Sequence, residues 1–195
     1  RTFQRLPHSA DCSGNDFAVL GVPFDTATSY RPGCRFGPAA IRDASTILKS
    51  YHSVLDVDIF EHCQGVDAGD VDIIPGYLDE RIEAAVAGVV AAGAVPVIMG
   101  GDHSITLPEL RAVAKRHGPV ALLHFDAHSD TGDDFFGKPY NHGTTFHWAI
   151  EEGLILPEQS TQAGIRGPLY SRPRLRQGQG DARHQRVGTA RHRCG

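Results

Sequence analysis

The chain has 195 residues, 41% hydrophobic and 22% charged, enough for one domain with a sizeable core and too apolar for a disordered chain. The formal net charge of −4 is unevenly spread: seven arginines and one acid fall in 172–195, leaving −10 on residues 1–171. Four cysteines (Cys12, Cys34, Cys63, Cys194) without a CxxC pair exclude a disulfide framework and fit a reduced, cytoplasmic setting.

The lead-in RTFQRLPHSADCSGND has no apolar stretch of the signal-peptide kind, and it starts on Arg, consistent with a processed or truncated start. Phe17–Val22 (FAVLGV) reads as a buried parallel strand, ended by Pro23. The loop PFDTATSYRPGCRFGP is rich in Gly, Pro, Ser and Thr. It is either a binding loop or a connector fixed by its prolines and glycines. Pro38 opens a helix predicted to run to about Ser50. Val54–Phe60 (VLDVDIF) alternates apolar and acidic residues, as an edge strand would. Val66–Asp72 (VDAGDVD) reads as a loop with solvated acids.

Leu78–Ala92 carries Leu78, Ile82, Val86, Val89 and Val90 at helical spacing, with Gly93 as a stop. The uncharged run Ala84–Met99 is short for a membrane span and contains Pro96. It reads instead as a buried helix followed by a buried strand, Val95–Met99, that exits into GGDHS (Gly100–Ser104). A helix from about Pro108 to Gly118 follows, then a strand, Val120–Phe125, that runs into DAHSD. Thr144–Glu152 is predicted helical and Thr161–Ile165 a further strand. Strands alternating with helices predict an α/β fold, a parallel sheet covered on both faces. In such sheets ligands bind beyond the carboxyl ends of the strands, where GGDHS and DAHSD both lie.

Asp126, His128 and Asp130 are spaced at two and two, so an extended backbone puts them on one side. Two carboxylates and an imidazole suit Mn²⁺, and less specifically Zn²⁺, Fe²⁺ or Co²⁺. His103, freed by Gly100 and Gly101, can reach the same point. His124 lies inside the strand, either supporting a ligand from behind or as a satisfied core histidine. Such a set can hold two ions about 3.5–4 Å apart with a bridging hydroxide, a nucleophile at neutral pH. Hydrolysis of a C–N bond also needs a proton donor for the leaving amine, and His142 in the loop NHG is the candidate. There is no G-x-S-x-G elbow and no P-loop, which leaves acyl-enzyme and nucleotide-phosphate chemistry without support.

GGDHS and FDAHSDT, preceded by GVPFDTATSYRPGCRFGPAAIR and followed by NHGT, resemble the ureohydrolase (arginase and agmatinase) family. RPGCRFGP and NHGT favour its agmatinase-like branch, which includes guanidinobutyrase, guanidinopropionase and proclavaminate amidinohydrolase. The resemblance runs from about Phe17 to Ser171. It implies a three-layer α/β/α fold and a binuclear Mn²⁺ centre. The implied reaction cleaves a small guanidino compound, such as agmatine, to urea and an amine, in a homo-oligomer. It also implies roles: His103 and Asp130 as ligands of the first metal, Asp126 shared by both, His128 on the second, and His142 shuttling protons.

Family members carry a further D-x-D pair on a later strand, and this chain has none after Asp130. Residues 1–171 therefore read as the N-terminal part of the domain. Residues 172–195 read as an Arg-rich tail, disordered or out of frame after a frameshift near Ser171. The expectation is at most one bound ion and impaired turnover. Competing readings are a non-catalytic remnant and a single-metal deacetylase on a related fold, which the paired motifs oppose. A nucleic-acid-binding arm is disfavoured because the tail has no aromatic residue for base stacking.

Overall fold

A computed structural model describes residues 1–74 and 80–167. Its centre is β1, Phe17–Val22, buried from Ala18 onward. Period-two geometry sends Val19 to one face, against Leu6 and Met99, and Leu20 and Val22 to the other. The chain then forms α1, Gly37–Ser45, with Pro38 in its first turn, where the missing N–H costs nothing. The helix stops about a turn before the expected Ser50. Ser45 and Thr46 turn their hydroxyls back onto the carbonyls of Arg42 and Asp43, which ends the helical ladder.

Two expectations fail in the next segment. Val54–Phe60 is not an edge strand. β2 (Tyr51–His52) and β3 (Val57–Asp58) form a two-residue antiparallel hairpin apart from the main sheet. Val54 and Leu55 lie in its exposed turn. Asp58 then accepts the Phe60 N–H at 3.1 Å and caps the single-turn α2, Ile59–His62. Nor is Val66–Asp72 a solvated loop. β4, Gly65–Asp70, pairs in parallel with β1, opposing Val66 to Ala18 and Asp67 to Val19. Asp67 is fully buried because Arg42, the Phe3 N–H and the Gly69 N–H all bond its carboxylate.

α3, Glu80–Ala91, buries Ile82, Val86, Val89 and Val90 as their spacing requires; Leu78 lies outside the described residues. Gly93 ends it at φ +85°, a left-handed turn that glycine adopts without strain. β5, Val95–Gly100, pairs with β1 from Phe17↔Val95 to Val22↔Gly100, giving the order β4-β1-β5. α4, Thr106–His117, begins slightly before Pro108 and ends at Gly118. β6 is only Leu123–Phe125, shorter than the expected Val120–Phe125; Val120 makes a single bridge to Ile155. After α5, Thr145–Glu151, β7 (Thr161–Ala163) pairs with β6 in parallel.

α3, α4 and α5 pack side by side on one face of the two parallel sheets, and α1 packs on the other against β1 and β5. The result is the helix–sheet–helix layering expected of the α/β class. Among the described residues β5 and β6 are edge strands of separate sheets. Val95, Val97, Leu123 and Phe125 are 62%, 41%, 66% and 75% exposed there. No helix among the described residues is long and apolar enough to cross a membrane. Cys12, Cys34 and Cys63 are free thiols. The expected boundary at 171/172 lies outside the described residues.

Candidate metal centre

The carboxyl ends of β5 and β6 bring the two motifs together. Past β5 the chain passes so close to the loop after β1 that a Cβ on Gly101 would sit 2.2 Å from the Phe24 carbonyl oxygen. Only glycine allows this approach. Asp102 follows, buried, and caps the short turn His103–Ile105 by accepting the Ser104 N–H at 2.9 Å. That turn carries His103 toward the exit of β6.

His103 Nδ1 lies 2.5 Å from Asp130 Oδ2. A carboxylate only accepts, so His103 Nδ1 carries the hydrogen and donates it to Asp130. Asp130 itself sits at φ +49°, a left-handed backbone that side chains rarely adopt and that clusters at functional sites. Its carbonyl accepts the Phe146 N–H at 2.9 Å, which ties the bend to the start of α5. Donor atoms of His103, His124 and Asp126 lie within 4.8 Å of one another. With Asp130 against His103, one imidazole and two carboxylates, those of Asp126 and Asp130, make a mixed nitrogen and oxygen set that fits a divalent ion of the Mn²⁺ type.

His124 is buried and stacks on His103 at 5.2 Å between ring centroids, with Phe146 edge-on to both. The Gln162 amide donates to the Ser129 carbonyl at 2.8 Å, which fixes its nitrogen, and that nitrogen lies 3.1 Å from His124 Nδ1. His124 Nδ1 is therefore the acceptor, and Nε2 carries the proton. Nε2 is buried without a hydrogen bond, 3.5 Å from Asp126 Oδ2. In this tautomer His124 backs Asp126 rather than offering a lone pair to an ion. Burial, reinforced by neighbouring His103, pushes the His124 imidazole below its ordinary pKa despite the nearby Asp126 and Asp130.

Asp126 accepts the His128 N–H at 2.8 Å. Burial works against its ionisation, but that bond and the neighbouring histidines hold its carboxyl below the usual range. The His128 ring stays at the rim, 64% exposed, with Nδ1 3.5 Å from Asp126 Oδ1. His103, Asp126 and Asp130 thus come together with His124, and His128 lies beside them. His142 is engaged elsewhere, with Nε2 3.2 Å from the Ser29 N–H and 3.0 Å from Ser29 Oγ.

Three further residues shape the surroundings. Asp25, fully buried, binds the Gly33 N–H and the Arg35 side chain, closing the loop after β1 on itself. The Arg35 guanidinium, opposed by burial, brings the Asp25 carboxyl down to about 2. Asp102 and Asn141 hold the same loop through Ala27, at 3.1 and 2.7 Å. Sequence reasoning passed over all three. The signal available was an acid or amide immediately beside each motif histidine, and an Asp inside a Gly- and Pro-rich loop.

The profile described as "Arginase family" matches residues 15–188. Proclavaminate amidinohydrolase of Streptomyces clavuligerus is 46% identical over 169 residues, 85% of this chain and 54% of that protein. The mitochondrial agmatinase of Gallus gallus is 44% identical, over 86% of this chain and 50% of that protein. The chain therefore spans about half the length of the curated relatives it matches. The solved structure of the Streptomyces clavuligerus enzyme superposes with a TM-score of 0.82 at 42% identity, covering 89% of this chain and 59% of that one. Trypanosoma cruzi formiminoglutamase, whose structure is described with Mn²⁺, superposes at 0.73 with 26% identity, covering 85% of this chain and 57% of that one. The profile match, the identities and the shared architecture agree: the chain belongs to the arginase family.

Proposed function

We propose that this chain carries part of the metal centre of an agmatinase-like amidinohydrolase, which cleaves a small guanidino compound to urea and an amine. The observation that carries the reading is the meeting of His103 with Asp130 across two strand ends, 2.5 Å apart, beside Asp126. Family membership supports the chemistry, and the relatives named amidinohydrolase, agmatinase and guanidinopropionase support the substrate class. Agmatine, guanidinobutyrate, guanidinopropionate and a proclavaminate precursor all remain in that class. The net −10 of residues 1–171 favours approach of a cation.

His103, Asp126 and Asp130 would hold one Mn²⁺; Asp126 and His128 would contribute to a second. The chemistry such ions supply is water activation at neutral pH. Asp126 holds its charged form through the His128 N–H, and His124 lies behind it, 3.5 Å away. His142 passes the proton to the leaving amine. Asp126 and His128 are the ligands that the described residues offer the second ion. We therefore expect one weakly held ion and little urea release from this chain. A cytoplasmic homo-oligomer is the setting that goes with this reading.

Titration of the purified chain with Mn²⁺, followed by calorimetry and electron paramagnetic resonance, tests the reading. One site per chain, lost in Asp130→Asn and in His103→Ala, is expected. Absence of any Mn²⁺ binding at millimolar metal defeats the metal-centre assignment. Two tight ions with sustained urea release from agmatine would defeat the expected impairment.

A further inference from the structure

The loop after β1 is held over the site by one peptide unit. The Ala27 N–H donates to Asp102 Oδ2 at 3.1 Å, and the Ala27 carbonyl accepts from Asn141 Nδ2 at 2.7 Å. Asp102 immediately precedes His103, and Asn141 immediately precedes His142. Both side chains are buried, at 5% and 8% exposure, and the opposite oxygen of each is also used. Asp102 Oδ1 accepts the N–H and hydroxyl of Ser104, and Asn141 Oδ1 accepts the Gly143 N–H at 2.9 Å. Each side chain is therefore fixed in orientation before it reaches Ala27. Two residues further along the same loop, the Ser29 N–H meets His142 Nε2 at 3.2 Å. A backbone N–H can only donate, so Nε2 accepts and the neutral ring carries its proton on Nδ1.

We infer that Asp102 and Asn141 are positioning residues. By clasping the two ends of the Ala27 peptide they aim the Ser29 N–H at His142 and hold that ring in its Nδ1–H tautomer. Nδ1–H is then the hydrogen-bond donor that the neutral ring has left to offer. Neither residue touches an ion or substrate in this role; each acts through the loop. The inference rests on the reading of His142 as the proton carrier, while its geometry does not depend on turnover.

Two single-atom exchanges test it with little volume change. Asp102→Asn puts an amide where Ala27 needs an acceptor, and Asn141→Asp puts a carboxylate oxygen against the Ala27 carbonyl. The ¹⁵N-histidine spectrum of the intact chain, with His142 assigned by its loss in His142→Gln, reports the tautomer directly. The wild-type His142 is expected as the Nδ1–H form. Both variants should move it toward the Nε2–H form and speed exchange of the Ser29 amide about tenfold, the worth of one lost hydrogen bond. An Nε2–H form in the wild type overturns the inference. So does an unchanged His142 pattern in both variants, including variants whose melting temperature falls, because that is the result of a merely structural clasp. Neither readout uses activity, so a chain that binds no Mn²⁺ and releases no urea would sink the proposed function and leave this test standing.

Discussion

Arg42 and Asp67 make a two-point ion pair inside the protein, with Nε and Nη2 each 2.8 Å from a carboxylate oxygen. The pair joins α1 to the middle of β4. Asp67 also accepts the Phe3 N–H at 2.7 Å, which holds the N-terminal segment against the sheet. Burial works against the charged carboxylate, yet Arg42 and the two backbone donors bring its pKa below the ordinary value. Removing one partner leaves the other charged and buried. Arg42→Met should therefore cost about 3–5 kcal/mol in urea denaturation. The double variant Arg42→Met/Asp67→Leu should recover part of that loss. A cost within the range of ordinary surface changes for Arg42→Met would show that Asp67 finds another partner. The pH dependence has a definite sign: stability from a depressed carboxylate is present above its unfolded pKa and fades as pH falls through the lower folded value.

The same pair explains why β4 was hidden in the sequence. VDAGDVD looks like a solvated acidic loop until Arg42, 25 residues away, is known to neutralise Asp67. Local pattern carries no information about a partner that distant. β1 and α3 were legible because their apolar residues alone decide what is buried; β5 was legible as a strand, but among the described residues Val95 and Val97 are exposed rather than buried as expected. VLDVDIF had the alternation of a strand but no neighbouring strand to pair with the main sheet, so it became a hairpin arm and a capped turn. At the site, the meeting of His103 with Asp126 and Asp130 was legible because both motifs leave parallel strands at the same end. The orientation of His124 was not, since it depends on Gln162 one strand away. Asp102 and Asn141 act on backbone atoms of another loop, which no spacing reveals.

Glu109 on α4 has an oxygen, Oε1, buried without a hydrogen-bond partner. Burial, against the weaker opposing effect of the Thr106 side chain, pushes its carboxyl up to about 8 from an ordinary 4.5. In the folded state the group keeps its proton where the unfolded chain has lost it. Stability should therefore decline as pH rises from about 4.5 and level off above about 8. Each unit of that interval is worth about 1.4 kcal/mol at most. Glu109→Gln removes the titration and keeps the shape. It should flatten the dependence and raise the stability at pH 8 by a few kcal/mol, read from denaturation midpoints at pH 5 and pH 8. Equal midpoint shifts at the two pH values would mean that Glu109 ionises normally.

Val97 and Phe125 stand on strands that, among the described residues, have one paired neighbour each. Neither β5 nor β6 carries a lysine, arginine, aspartate or glutamate. Native edge strands are normally guarded by such charges, because open backbone donors and acceptors beside apolar side chains invite pairing with another chain. The 195-residue chain should therefore associate with itself in a concentration-dependent way and bind a hydrophobic dye. Val97→Lys and Phe125→Lys place a charge on each exposed row without touching Met99 or His124, which are buried. Sedimentation velocity should show association weakened in each variant and more so in the pair, while thermal stability changes by no more than about 0.5 kcal/mol. A wild-type chain that stays monomeric and binds no dye would mean that these rows are covered in solution. Because lysines at the two edges act on separate sheets, unequal effects of the two variants would identify which edge leads the association.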